Sequence, residues 1–103
     1  MPTSSHRPES QGVHQDRSRQ LARQVLGVCV STEYQLAATE QWDDEALDVL
    51  QSAWSHIEGT AASLGFSVQG PPKIPPDTPM TGRCVMLNQT MHRLRKQCQA
   101  MLA

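Results

Sequence analysis

Aromatic side chains are nearly missing from this chain. Tyr34, Trp42, Trp54 and Phe66 are 4% of its 103 residues. A β-sandwich or barrel of this size draws on aromatic and β-branched residues in alternation, so the shortage argues against a sheet. Long apolar runs are missing too. Nothing approaches the roughly 18 consecutive apolar residues of a membrane-spanning helix, and the N-terminus has no apolar core of a secretory signal. The three cysteines, Cys29, Cys84 and Cys98, are an odd number with no close spacing. That pattern fits buried thiols in a reducing compartment, so a cytoplasmic location is expected.

Catalytic signatures are absent as well. There is no Gly-x-Ser-x-Gly, Cys-x-x-Cys or His-Glu-x-x-His, and no enzymatic activity is expected. Cys84 and Cys98 lie about 21 Å apart on one helix at 1.5 Å per residue, too far to share an ion or a disulfide. His56 and His92 lack a carboxylate or thiolate at ligand spacing. No metal and no cofactor is expected. Asp43, Asp44, Glu45 and Asp48 read as the solvated acidic start of a helix, where carboxylates favour the positive end of the dipole.

What is present is helical. The apolar 38% is mostly Ala, Leu, Met and Val. From Asp43 to Leu64, apolar residues fall at Leu47, Leu50, Trp54, Ile57, Ala61 and Leu64, one face of a helix. Gly65 and Phe66 then match a Schellman cap. Gly59 lies inside this helix, where it allows a close crossing or a bend. From Gly82 to Ala103, with Thr81 as N-cap, the seam is Cys84, Leu87, Met91, Leu94, Cys98 and Met101. Between them, residues 67–80 hold five prolines, which exclude a helix or central strand. In this proline-rich strap, Pro71 to Pro79 alone reach roughly 28 Å in polyproline geometry at about 3.1 Å per residue. The two seams are expected to pack antiparallel across it. A less certain N-terminal helix begins at Ser18. It either runs on to about Ala38 or breaks near Gly27 and restarts at a Thr32–Gln35 capping box. Residues 1–15, with Val13 the one aliphatic side chain besides Met1, read as a disordered tail, leaving 16–103 as a single domain. The expected fold is all-α: a small bundle of two long amphipathic helices joined by the strap, plus the N-terminal helix, and completed by dimerisation if apolar edge is left over.

Charge is segregated. Residues 1–30 hold four arginines against two carboxylates, net +2. Residues 31–66 hold seven carboxylates and no Lys or Arg, net -7. Residues 67–103 hold five basic residues against Asp77, net +4. An acidic middle between basic ends can pair within the chain or between copies. The functional expectation is a non-enzymatic helical protein–protein interaction subunit, an adaptor or chaperone-like protein with coiled-coil packing. Its expected partner is a second copy or another helical protein. The candidate interface is Trp42, Trp54, Leu87, Met91, Leu94 and Met101. The alternative is a nucleic-acid-binding protein using a basic surface of Arg17, Arg19, Arg23, Arg93, Arg95 and Lys96. The acidic middle and the lack of interleaved aromatics count against it. The Pro72–Pro75 PxxP pattern reads as spacer, although SH3-type grooves bind such segments.

Overall fold

The computed structural model describes residues 6–68 and 70–103, with side chains from Gln15 onward. Three helices form the molecule: α1 (His6–Ala37), α2 (Asp44–Ser63) and α3 (Met80–Leu102). The chain is an all-α three-helix bundle.

Helix α1 is continuous through Gly27. Thr32 does not open a new helix. Its hydroxyl donates to the Val28 carbonyl at 2.7 Å, one turn back, which satisfies a side chain that is only 4% exposed. The helix also takes in residues 6–15, so no break in secondary structure marks the expected boundary of the tail. Pro8 falls in the first turn, where its missing N–H costs nothing, and adding residues to an existing helix is far easier than starting one. Residues 1–5 of the expected tail lie outside the described residues.

Helix α2 is set at both ends by local chemistry. Asp43 is the N-cap, and its carboxylate accepts from the Ala46 N–H at 3.0 Å. At the other end, Gly65 takes φ +82°, a conformation open to glycine at little cost. The Phe66 N–H then bonds to the Ala61 carbonyl at 2.8 Å and the Gly65 N–H to Ala62 at 3.1 Å, the Schellman pair. Gly59 is exposed, with open space where a Cβ would stand. It marks neither a helix crossing nor a tight approach.

Helix α3 starts two residues earlier than the spacing predicts. Pro79, not Thr81, holds the N-cap position, with extended backbone and no side-chain cap. The Arg83 side chain ties the start down instead. Its Nε donates to the Thr78 carbonyl at 2.9 Å and its Nη2 to the Pro76 carbonyl at 2.7 Å.

The expected antiparallel pairing of the two seams is not what forms. Cys84 Sγ lies 4.0 Å from the Asp43 carbonyl at the start of both helices. Further along both, Trp54 Nε1 points to the Leu87 carbonyl at 3.4 Å. Helices α2 and α3 are therefore parallel, and α1 runs antiparallel to both, with Glu33 beside His92 and Arg95. The six residues 38–43 turn α1 into α2, and the non-helical residues 64–79 bring the chain back along α2. The reason is geometric. Each seam faces α1 as well as its partner, so α1 fills the trough between them. The interior comprises Ala22, Val25, Cys29 and Leu36 of α1, Leu50, Trp54 and Ile57 of α2, and Cys84, Leu87, Met91 and Cys98 of α3. Leu50, Ile57 and Met91 are fully buried, each worth about 1.5–3 kcal/mol relative to exposure. Leu47, Leu94, Leu21 and Val28 only border this core.

Candidate functional site

The interior gathers the chain's nucleophiles and leaves them inert. Cys29, Cys84 and Cys98 are free and buried. Burial, reinforced by the neighbouring Cys98 thiol and the Glu33 carboxylate, pushes the Cys29 thiol up to about 12. Burial also raises Cys84, with Asp43 and Asp44 adding to it, and raises Cys98. A thiol is nucleophilic as thiolate, so none is poised for chemistry near neutral pH. Among the described residues, no three of His, Cys, Asp and Glu converge to hold a metal ion, and no helix is long and apolar enough to cross a membrane.

A polar cluster clamps α1 to α3. Glu33 Oε2 lies 2.9 Å from Arg95 Nε, and Glu33 Oε1 lies 3.1 Å from His92 Nδ1. The Arg95 Nε is fully enclosed, and its N–H makes no aligned hydrogen bond, so the contact with Glu33 is a charge pair. His92 Nδ1 is also 3.1 Å from Arg95 Nη2. One ring nitrogen can donate to the carboxylate or accept from the guanidinium, not both at once. The cluster uses both available partners of Glu33 and leaves little to act on a substrate.

Of the interface residues expected from sequence, Trp54, Leu87 and Met91 are taken up by the intramolecular core. Trp42 is half-buried, at the position preceding the Asp43 cap. It lines a small cleft with Leu36, Asn88 and His92. Leu94 is also half-buried, and Met101 alone is substantially open at 52% exposure. The expected basic surface is divided. Arg17, Arg19, Arg23, Arg93 and Lys96 are exposed, but Arg95 is bound to Glu33. Glu33 stands opposite His92 and Arg95. Arg23 lies ten residues away along α1, about 15 Å at 1.5 Å per residue, and Arg19 and Arg17 lie further still.

The sequence pattern alone leaves unremarked the outer face of α1. Tyr34 is 81% exposed and Val30, one turn earlier, 49%. Gly27, Ala37 and Ala38 are exposed beside them. Residues 27, 30, 34 and 37 share one face at helical spacing, turned away from the buried face of Ala22, Val25, Cys29 and Leu36. The signal was present as a second, weaker periodicity. It is masked by the β-prone run Val28-Cys29-Val30, which suggests a break rather than two faces of one helix. At one end of this stripe stand Arg23 and Arg19. At the other, the turn carries Glu40 and Asp43, and the first turn of α2 carries Asp44 and Glu45, all exposed. Among the described residues, none of these six charges is in an ion pair.

The other concavities are open clefts. One of about 670 Å³ runs between the proline-rich connection and α3, with Trp54, Val68 and Leu94 in its wall and Lys73 and Arg93 at its rim. Another, about 590 Å³, lies at the acidic corner against Gln35, Glu40, Asp43 and Val49. In comparison with known proteins, no protein family, no curated protein and no solved structure matches this chain.

Proposed function

We propose that this protein is a small, non-enzymatic helical interaction subunit, an adaptor or chaperone-like protein, and that it engages its partner through the outer face of α1. One observation carries this reading. The bundle closes its own interior on three sides, yet its single tyrosine stands 81% exposed next to a half-exposed valine on a face lined by glycine and alanine. Tyr is enriched at interface hot spots, and small neighbours let a second helix approach closely. The fully buried polar groups are held by backbone bonds or paired charge, which suits a rigid platform rather than a reaction centre.

The test is capture from the native cell by the tagged protein, run beside Tyr34→Asp and Val30→Glu. Both substitutions are at solvent-facing positions, so circular dichroism should remain helical. A protein retained by the unchanged chain and lost by both variants supports the proposal. Equal recovery by all three sinks it. Recovery of nucleic acid that depends on Arg93 and Lys96, with no effect of Tyr34, would favour the nucleic-acid alternative.

A further inference from the structure

The outer stripe of α1 has an order of charges along its length. Arg19 and Arg23 lead, Gly27, Val30 and Tyr34 follow, then Ala37 and the acidic turn of Glu40, Asp43, Asp44 and Glu45. Residues 19, 23, 27, 30, 34 and 37 are three or four apart and lie on one helix face. Along the helix axis the order is basic, then apolar, then the acidic corner made by the turn and the first residues of α2. A surface that reverses sign about its own centre is complementary to itself when turned by a half rotation, which is what a two-fold interface requires. A parallel arrangement would set arginine on arginine.

We propose that this face is a self-docking surface, on which α1 of a second copy packs antiparallel with Arg19 and Arg23 of each copy against the acidic turn of the other. The proposal rests on the interaction reading above and names its partner. With the two-fold axis near Ser31, Arg23 and Arg19 stand about 12 and 18 Å from it at 1.5 Å per residue, and the helix ends at Ala37, about 9 Å away on the opposite side. Both arginines therefore reach the level of the partner's turn, six residues that begin just past Ala37. Length permits this because α1 outruns the bundle. From Gln15 onward the side chains are exposed as far as Gln20 but for the half-buried Ser18, and the first of them to be buried is Ala22. Asp16 shares the basic end and falls beyond the turn, so it subtracts little. Each exposed ion pair adds only modestly to affinity. The apolar centre supplies adhesion, and the charges choose orientation and partner.

Sedimentation equilibrium across micromolar concentrations, at low and at high salt, reads the outcome. The unchanged chain should form a dimer whose affinity falls with salt. Tyr34→Glu should leave a folded monomer. The double variant Arg19→Glu/Arg23→Glu and the triple variant Glu40→Lys/Asp44→Lys/Glu45→Lys, which keeps the Asp43 cap, should each weaken self-association by roughly tenfold or more. Their equimolar mixture should dimerise again, because a chain acidic at both ends then meets a chain basic at both ends. That rescue is beyond a variant that has merely lost its fold. A monomer at all concentrations, or a dimer indifferent to Tyr34 and to both reversals, overturns the proposal. If the monomer still captures a different protein through Tyr34, self-docking fails and the interaction reading stands.

Discussion

At the scale of single residues, Cys29 links burial to pH. Its thiol is held near 12 against an ordinary 9.0. As pH rises past 9 the unfolded chain releases this proton while the native protein keeps it, so the native state binds more protons and stability falls with pH across that interval. The contribution is fully present below pH 9 and is lost as pH approaches 12. The midpoint of urea unfolding should therefore decline between those values, and Cys29→Ala should decline less steeply. Identical slopes would show that the thiol does not carry the effect. The burial of all three cysteines is legible in the sequence, because a small apolar-behaving side chain on a helical seam has few other places to go. The burial of Thr32 is not legible. It depends on a hydroxyl turned back to Val28, one of two rotamers open to a helical threonine.

At the scale of elements, the cap of α2 is the most legible feature and the start of α3 the least. Gly65-Phe66 announce the C-terminal cap because its local geometry is intrinsic to those residue types, whereas Asp43, read as part of the first turn, is the N-cap just before it. Thr81 makes an equally good N-cap on paper and loses to Pro79. The deciding contact is a long-reach side chain, Arg83, that gathers two carbonyls of the preceding segment, and spacing rules do not see it. Removing it gives a specific prediction. Arg83→Ala should destabilise the protein by about 1–2 kcal/mol through the loss of two charge-assisted bonds, partly replaced by water. Arg83→Lys should restore only part of that, because an ammonium lacks the planar fork that reaches both carbonyls. Chemical denaturation of the three proteins side by side measures it. Lysine equal to arginine would mean that charge alone matters at this site.

At the scale of the whole molecule, the bundle type was readable and the direction of its helices was not. Matched seams say that two helices share a core, and they are silent on polarity once a third helix lies between them. The outer face of α1 was hidden for a related reason. The apolar pattern picks out the buried face of α1 and says nothing of what the opposite face exposes, so Val30 and Tyr34 stand out only once the helix is packed. The parallel course of α2 and α3 has a consequence in time. Helices α1 and α2 are joined by six residues and meet as neighbours in sequence, whereas the pairing of Glu33 with His92 and Arg95 closes a loop of some sixty residues. Short loops close before long ones reward their entropy. The α1–α2 hairpin should gain protection first in pulse-labelled hydrogen exchange, with α3 following. Simultaneous protection of all three helices would show a single concerted step. On this order of events the nascent chain carries an unfinished groove, lined by Cys29, Leu50 and Ile57, until its last helix arrives. The five prolines of residues 67–80 restrict the backbone of the return path, which limits the conformations to be searched before that helix meets the groove it must fill.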